Sequence, residues 1–248
     1  MELKDKVAAV TGAGKGIGKA IAERLFREGA LVSLWDIDFN LVKDLSKKLD
    51  SSGKNILSIK ADVTEEDEIK SAVEQTVKSW GKIDILVNNA GISRHKTISE
   101  MSVDDFMQVI WVNLTGTFIC CKYVVLEMKK HKRGKIINIS SLGGRTGRPG
   151  VGVNYAASKA GVISLTQTLA RELGGYGIYV NAICPGPILT EQTKQYPREV
   201  FESWNAGRAI QRDGFPEDIS DAVVFLASEK SDWITGFSLD INGGIYIC

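Results

Sequence analysis

The chain has 248 residues, of which 44% are hydrophobic and 25% charged, and its 31 Lys and Arg residues against 30 Asp and Glu residues give a net charge of +1. That balance offers no basic surface for nucleic acid or an acidic membrane, and the length allows a sizeable core. The four cysteines follow neither a metal-ligand nor a disulfide pattern, so we predict a cytoplasmic protein without a metal. The N-terminus lacks a signal-peptide pattern and no other segment approaches 18 apolar residues, so we expect a soluble protein whose partner is a small molecule or a second copy of itself.

Short β-branched segments alternate with longer amphipathic ones along the chain. A strand over 6–12 leads into a helix over 16–29, and a strand over 30–36 leads into a helix over 40–53. Five further strands are predicted over 55–63, 83–91, 134–141, 177–186 and 237–244. Near-continuous apolar strands joined by helices are typical of a parallel sheet covered on both faces. We therefore predict a single α/β domain, doubly wound around a seven-stranded parallel sheet.

The segment TGAGKGIG at 11–18 follows the first predicted strand and opens the first predicted helix. Its spacing, Gly12-x-x-x-Gly16-x-Gly18, departs from the G-x-G-x-x-G dinucleotide fingerprint and does not match a P-loop. Glycines at this position let the backbone approach a pyrophosphate, and the helix N-terminus supplies free N–H donors. The segment predicts a dinucleotide phosphate site, with a tight strand-to-helix turn as the simpler alternative.

Two charged residues give opposite indications about the cofactor. Asp36 ends the second strand, where an acidic side chain can accept hydrogen bonds from the adenosine ribose and would repel a 2′-phosphate. Lys15, within the glycine segment, could instead meet a 2′-phosphate. We give Asp36 more weight because its clash with phosphate would be direct, whereas a loop lysine can equally point into solvent. NAD is therefore predicted over NADP, and Asp38 is interpreted as an ordinary turn residue.

The strongest sequence signal is the amphipathic segment 154–174, which opens with Tyr155 and Lys159. A spacing of four residues places the phenol and the ammonium on one helix face. A cation about 4 Å away would favour the phenolate by roughly 4 kcal/mol at an effective dielectric constant near 20. The pair therefore predicts a tyrosine acid/base, although an exposed Tyr–Lys pair on a helix is common.

Several segments are expected to meet at one crevice, because ligands bind beyond the carboxyl ends of parallel strands. Ser141 ends the fifth strand, and 88–91 and 185–186 follow two others. Asn113 interrupts an apolar helical segment and is either part of this site or a satisfied structural amide.

The ordered set TG-x-x-x-G-x-G, N-N-A-G, Asn113, Ser141, Y-x-x-x-K and P-G-x-x-x-T resembles the short-chain dehydrogenase/reductase family in its single-domain form. The resemblance covers essentially the whole chain and implies a Rossmann-type sheet with an Asn113–Ser141–Tyr155–Lys159 tetrad. It implies that Tyr155 is the acid/base, that Lys159 lowers its pKa and holds the nicotinamide ribose, that Ser141 orients the substrate oxygen, and that Asn113 holds a proton-relay water. The cofactor-binding residues that the sequence and the resemblance together indicate are Gly12, Lys15, Gly16, Ile17, Gly18, Asp36, Asp62, Val63, Asn89, Ala90, Gly91, Tyr155, Lys159, Pro185, Gly186, Ile188 and Thr190.

The leading hypothesis is an NAD-dependent oxidoreductase that interconverts a secondary alcohol and a ketone. The alternative is an NADPH-dependent 3-oxoacyl carrier-protein reductase, which the sequence also resembles. Such reductases usually lack an acid at the position of Asp36, and Tyr176 stands where a second carrier-docking arginine is expected. A dinucleotide-binding sensor without chemistry would have no reason to keep all four tetrad residues. The resemblance also implies a homotetramer, or otherwise a dimer, built through the Asn113 and Tyr155 helices and the C-terminal strand.

The sequence says less about the substrate pocket than about the cofactor site. The unpatterned stretch of about 187–213 is expected to be a functional loop or lid. Its Tyr196, Phe201 and Trp204 indicate either an apolar pocket or packing onto the core. The Ser141–Tyr155 spacing of fourteen residues is slightly longer than is usual in the family, which predicts an extended loop over the substrate. His95 follows N-N-A-G closely and either reaches the substrate pocket or, as we expect, is a solvated loop residue. Four arginines either meet an acidic group or face water: Arg145, Arg148, Arg198 and Arg208.

Overall fold

The fold is described here from a computed structural model, which covers residues 1–148 and 150–248. Seven parallel strands form one sheet in the order β3-β2-β1-β4-β5-β6-β7. The strands are β1 (Val7–Thr11), β2 (Leu31–Asp36), β3 (Ile56–Lys60), β4 (Ile85–Asn88), β5 (Gly134–Ile139), β6 (Ile178–Pro185) and β7 (Ser238–Ile241). Each lies within a segment predicted as a strand. The predicted Rossmann-type sheet is confirmed.

Residues 1–148 and 150–248 contain eight α-helices, six of which pack on the two faces of the sheet. The eight helices are α1 (Gly16–Arg27), α2 (Phe39–Leu49), α3 (Glu66–Trp80), α4 (Val103–Ile110), α5 (Gly116–His131), α6 (Val153–Leu173), α7 (Arg198–Trp204) and α8 (Pro216–Ala227). Helices α1, α2 and α8 contribute to one buried apolar cluster, and α3, α5 and α6 contribute to the other. Two cores on opposite faces explain why the strands read as continuous apolar runs.

The strand order reverses between β1 and β4, which are parallel neighbours in the sheet. The chain continues from β1 toward the β3 edge and from β4 toward the β7 edge. In open α/β sheets the ligand crevice lies at such a switch point, beyond the carboxyl ends of the strands. The glycine segment follows β1, and residues 89–91 follow β4, so the fold places these two motifs side by side.

The helical stretch Val103–His131 contains an 18-residue window with a mean hydropathy of 1.7, which is long and apolar enough by composition to cross a membrane. The expectation that no segment approaches this size is therefore wrong. In the fold the stretch includes a π-helical turn, Trp111–Thr115, between α4 and α5. Cys120, Cys121 and Met128 pack into the core on the sheet. The apolar composition is that of a helix packed on a sheet, with part of its outer face exposed.

The predicted lid, about 187–213, contains regular secondary structure. An isolated bridge joins Ile188 to Gly214, and between them lie a short 3-10 turn, Thr193–Gln195, and helix α7. The sequence showed no clear period there because α7 has only seven residues, and Phe201 is its one buried side chain.

Candidate active site

A cleft of about 1760 Å³ runs along the carboxyl edge of the sheet. This volume exceeds the roughly 300–1,000 Å³ of ordinary small-molecule pockets, so the cleft has room for a dinucleotide and a second molecule. All seventeen residues predicted to bind the cofactor line it, as do Ser141, His95 and Arg148. Asn113 is not among the lining residues.

The glycine segment is shaped by its backbone conformation and by close packing. Gly12 and Gly16 have φ angles of +61° and +54°, in the left-handed region that favours glycine. A Cβ on Gly18 would lie 2.1 Å from the Gly12 carbonyl oxygen and 2.4 Å from Nδ2 of Asn89. Any side chain at Gly18 would therefore push the first turn of α1 away from the loop.

Asn89 and Thr11 tie the glycine segment to the end of β4. The Asn89 side-chain amide donates to the carbonyl oxygens of Thr11, at 3.1 Å, and Gly12, at 3.0 Å. The Thr11 hydroxyl accepts hydrogen bonds from the backbone N–H groups of Asn89 and Ala90, both at 3.0 Å. The loop is thus braced before any ligand arrives. Helix α1 begins after Lys15 with no side-chain cap, which leaves its first N–H groups available to an anion in the cleft.

The Asp36 carboxylate is held by backbone groups at the edge of the cleft. It accepts hydrogen bonds from the N–H of Gly14 at 2.8 Å and from the N–H of Asp38 at 3.0 Å. A Cβ on Gly14, the second glycine of the segment, would lie 2.7 Å from Cβ of Leu41 and 2.9 Å from this carboxylate, so both neighbours require a glycine there. Asp38 caps α2 by accepting from Asn40 N, which agrees with its interpretation as a turn residue, although it also lines the cleft.

The remaining predicted cofactor residues lie along the same wall. The Asp62 carboxylate accepts from the backbone N–H and the hydroxyl of Thr64, at 2.9 and 2.7 Å, and is thereby fixed beside Val63. At the other end of the cleft, Thr190 is fixed by a 2.7 Å hydrogen bond from its N–H to the Thr193 hydroxyl. The acidic side chains Asp36, Asp38 and Asp62 with the glycine segment define what we name the adenosine end of the cleft.

Ser141, Tyr155 and Lys159 meet between β5 and α6. The Lys159 ammonium donates to the Ile139 carbonyl oxygen at 2.8 Å and lies 5.8 Å from the centre of the Tyr155 ring. Ser141 Oγ accepts from the N–H of Gly143 at 3.1 Å, which leaves its own proton available to the cleft. The neighbouring Ser140 is buried and donates to the Lys159 carbonyl oxygen. Of the two serines, Ser141 is the one whose hydroxyl has a proton to donate into the cleft.

The pKa values of this group depend mainly on desolvation. Burial raises the pKa of Tyr155 above its ordinary value, and the Ser141 hydroxyl opposes this rise. Burial lowers the pKa of Lys159 to about 8. The role that the resemblance gives Lys159, lowering the pKa of Tyr155, stays a prediction, because the ammonium donates to a backbone carbonyl here rather than to the phenol.

Asn113 lies behind the cleft on the π-helical turn and is completely buried. Its Oδ1 accepts from the Ile92 N–H at 2.8 Å, and its Nδ2 donates to the Ile92 carbonyl oxygen and to the Ser158 hydroxyl, both at 3.0 Å. Ser158 in turn donates to the Tyr155 carbonyl oxygen. The structural-amide alternative therefore describes the side chain well: Asn113 connects the loop after β4 to the first turn of α6, which carries Tyr155.

His95 is an exposed loop residue, as expected, and its ring also lines the cleft beside Tyr155. Its ring meets the Tyr155 ring edge-on, with the centroids 5.7 Å apart, and its Nδ1 accepts from the Gly152 N–H at 3.0 Å. Burial lowers the pKa of His95, so the ring is neutral near pH 7 and its Nε2 carries the proton. Its position soon after N-N-A-G is the sequence signal that brings it within reach of the pocket.

The lid and the loop after β5 complete what we name the substrate end, formed by His95 and by the cleft-lining residues within 141–148, 150–152 and 187–206. Trp204 lines the cleft and makes edge-on contacts with Tyr196 and Phe201 at 5.1 and 6.0 Å. Phe201 is buried, as packing of the lid onto the core requires, whereas Trp204 lines the cleft. The two sequence interpretations of the lid aromatic residues therefore each hold for one of them. Within the loop after β5, Arg148, Gly150 and Val151 line the cleft, and the extension of this loop over the substrate stays a prediction.

The fold and the residues at this cleft define a nicotinamide-dependent oxidoreductase that acts on CH–OH groups. A family model described as enoyl-(acyl carrier protein) reductase matches residues 12–246. With that match and the relatives below, the chain belongs to the short-chain dehydrogenase/reductase family.

Similar proteins extend over the full length of the chain. It is 42% identical to 3-oxoacyl-(acyl-carrier-protein) reductase FabG of Thermotoga maritima over 247 residues, which is 100% of both chains. It is 41% identical to (3R)-3-hydroxyacyl-CoA dehydrogenase of Rattus norvegicus, over 100% of this chain and 98% of the relative. The crystal structure of gox2181 resembles it with a TM-score of 0.95 at 32% identity, over 98% of this chain and 96% of the other.

Proposed function

We propose that this protein is an NAD-dependent dehydrogenase that interconverts a secondary alcohol and a ketone, with Tyr155 as the acid/base. The observation that carries the cofactor assignment is the Asp36 carboxylate, fixed by the N–H groups of Gly14 and Asp38 at the adenosine end. A fixed carboxylate accepts hydrogen bonds from ribose hydroxyls and repels a 2′-phosphate. Asp38 and Asp62 add two further carboxylates to this end of the cleft, against the single cation Lys15.

The residues present fit a nicotinamide dinucleotide. The uncapped start of α1 and the close backbone approach at Gly18 suit a pyrophosphate, and the cleft volume accommodates the rest of the cofactor. When bound, the cofactor supplies or accepts the hydride at its nicotinamide ring. Lys159, held on the Ile139 carbonyl, would hold the nicotinamide ribose, as the family resemblance implies.

The proton of the reaction passes through Tyr155. Because burial raises its pKa, the phenol is protonated at neutral pH and can donate its proton to a carbonyl oxygen during reduction. Oxidation of the alcohol requires the phenolate and is therefore favoured by alkaline pH. The Ser141 hydroxyl is free to donate to the same oxygen and to orient it.

The second candidate is an NADPH-dependent 3-oxoacyl-(acyl-carrier-protein) reductase. It is favoured by the name of the relative from Thermotoga maritima. Against it stand Asp36 and Tyr176, whose ring packs under the Lys129 ammonium at 4.5 Å in the place expected for a carrier-docking arginine. The relatives from T. maritima and R. norvegicus are both named for acyl substrates oxygenated at carbon 3, so we propose that class of alcohol and ketone for this site.

We also propose a homotetramer located in the cytoplasm. Large apolar side chains are exposed on the helices around the site: Met107, Trp111, Phe118, Leu126 and Val153. A second set surrounds β7 and the C-terminus, where Trp233 is 100% and Ile247 81% exposed. Two separate apolar faces suit an assembly with two kinds of interface. Light scattering that shows a monomer would contradict this assignment.

Initial rates with a panel of secondary alcohols and ketones, 3-hydroxyacyl and 3-oxoacyl thioesters included, test the proposal through absorbance of the reduced nicotinamide. We expect turnover with NAD(H) to exceed turnover with NADP(H) by tenfold or more in kcat/KM. A preference for NADP(H) together with a 3-oxoacyl carrier substrate would favour the second candidate.

A further inference from the structure

The substrate end contains an arginine whose charge is not balanced within the protein. Four arginines were candidates for meeting an acidic group. Arg145 pairs with Asp240 at 2.9 Å, Arg198 pairs with Asp213 at 2.7 Å, and Arg208 pairs with Asp213 at 3.3 Å. Among the residues that the structure describes, no carboxylate oxygen lies within 4.0 Å of the Arg148 guanidinium.

Arg148 is also the one of the four that lines the cleft. Its Nη2 donates to the Trp204 carbonyl oxygen at 2.6 Å, and no other side-chain hydrogen bond of Arg148 occurs within 1–148 and 150–248. A guanidinium has five N–H donors, so most of its hydrogen-bonding capacity is left for a ligand. Burial lowers the pKa of Arg148 without an opposing acidic neighbour, which marks a cation that the protein itself does not neutralise.

Arg148 lies in the loop beside Tyr155, the proposed acid/base. Its carbonyl oxygen accepts from the N–H of Val151 in the same turn. A Cβ on Gly143 would lie 3.4 Å from Cγ1 of Val151 and 3.6 Å from Cδ1 of Tyr155, so Val151 and Tyr155 face each other across Gly143. Arg148 therefore stands in the loop beside Tyr155, between the acid/base and the lid.

The charges that line the cleft differ between its two ends, although Lys15 at the adenosine end and Glu191 at the substrate end run against the general pattern. Asp36, Asp38 and Asp62 line the adenosine end. At the substrate end His95 is neutral near pH 7, and Arg148 supplies the positive charge. Glu191 also lines the cleft but forms no ion pair with Arg148.

We propose that Arg148 binds an anionic group on the substrate, a carboxylate or a phosphate, while the reacting carbon lies at Tyr155. The inference rests on the proposed alcohol–ketone chemistry and narrows its substrate class. Guanidinium groups bind carboxylates and phosphates through paired hydrogen bonds, and the contact with Trp204 couples that binding to the lid.

Paired substrates distinguish the two sources of the anion. The first pair is a free 3-hydroxy, 4-hydroxy or 5-hydroxy acid and its uncharged methyl ester. The second is a 3-hydroxyacyl-CoA and the corresponding N-acetylcysteamine thioester, which keeps the thioester but lacks the phosphates. For Arg148→Met we expect kcat/KM to fall about 10- to 100-fold more for the charged member of one pair than for its neutral partner, mainly through KM. Arg148→Lys should give an intermediate loss.

The pair that responds identifies the anion as a carboxylate or as a phosphate. Arg212→Met is the matched control, because Arg212 is exposed, lies in the same lid region and pairs with Asp218. Equal losses for charged and neutral members in both pairs would overturn the proposal and leave Arg148 as a latch for the lid.

Equilibrium binding separates this inference from the proposed function. The same acids and esters are titrated into the wild-type protein and Arg148→Met, with tryptophan fluorescence as the readout. If no substrate is turned over with either cofactor, the proposed function fails. Tighter binding of the acid than of the ester, lost in Arg148→Met, would still support Arg148, and equal binding would overturn it.

Discussion

The two ends of the cleft are built in different ways. At the adenosine end, backbone groups and short side chains are fixed by strands and by close packing: Asn89 braces Gly12, and Gly14 donates to Asp36. At the substrate end, the surfaces come from a loop and a lid whose contacts join residues far apart in sequence, such as Arg148 with Trp204. The first arrangement suits a constant cofactor, and the second allows the substrate to vary while the sheet is unchanged. Tyr155 lies at the boundary between them.

Tyr155→Phe gives the largest expected effect and tests whether the chemistry lies at that boundary. Removing the phenolic proton should lower kcat about 10²- to 10⁴-fold, while NADH binding, measured by fluorescence, stays close to wild type. Tyr176→Phe is the control, because Tyr176 is 44% exposed and does not line the cleft. Retained turnover in Tyr155→Phe would remove this residue from the mechanism.

The pH dependence of the two reaction directions should differ. Because the pKa of Tyr155 is raised, the proton donor is present at neutral pH and the base is scarce. We expect kcat/KM for alcohol oxidation to rise about tenfold per pH unit between pH 7 and 9, and ketone reduction to change little there.

Lys159→Met sharpens this test. Loss of the ammonium should move the rise in oxidation to higher pH, since the Lys159 cation, with a pKa of about 8, favours the phenolate in the lower part of that range. Identical profiles for the variant and the wild type would show that the Lys159 charge takes no part in the proton transfer.

Gly18→Ala challenges the claim that the adenosine end depends on close packing. The added methyl would overlap the Gly12 carbonyl oxygen, so we expect a loss of about 1–3 kcal/mol in the free energy of unfolding and about tenfold weaker NADH binding. Thermal unfolding and NADH titration measure the two effects. Gly174→Ala is the control, because a Cβ there meets nothing within 4 Å. Equal Tm values in the two variants would contradict the packing argument.

Lys15→Met should have the smallest effect. Lys15 is exposed at the mouth of the cleft, and a surface charge of this kind contributes about 0–1 kcal/mol. We expect less than about fivefold change in the dissociation constants of both NADH and NADPH. A selective loss of NADPH binding beyond tenfold would mean that Lys15 holds a 2′-phosphate.

The sequence predicted the sheet, and the residues that it assigned to the cofactor line one cleft, because both predictions depend on local patterns. Apolar strands, glycine spacing and the acid at the end of β2 can each be recognised within one segment, and all seven strands lie where expected. Short helices and pairings between distant residues leave no such pattern. The seven-residue helix α7, the contact of His95 with Tyr155, and the direction of the Lys159 ammonium toward Ile139 became visible only when the chain was folded.

Asn113 shows the same limit inside a recognised motif. The sequence could place a polar residue within an apolar helix, but it could not decide between a group that faces the cleft and one that braces it from behind. The hydrogen bonds to Ile92 and Ser158 show that it braces the loop after β4 against the first turn of α6, and its part in a proton relay stays a prediction.

Equilibrium binding of NADH and NADPH to the wild-type protein and to Asp36→Asn tests the central claim most directly. The amide keeps the size of the carboxylate but removes its charge. The account predicts that the wild-type protein binds NADH at least tenfold more tightly than NADPH, and that Asp36→Asn reduces this ratio to less than about threefold. Equal or tighter binding of NADPH by the wild-type protein would contradict it.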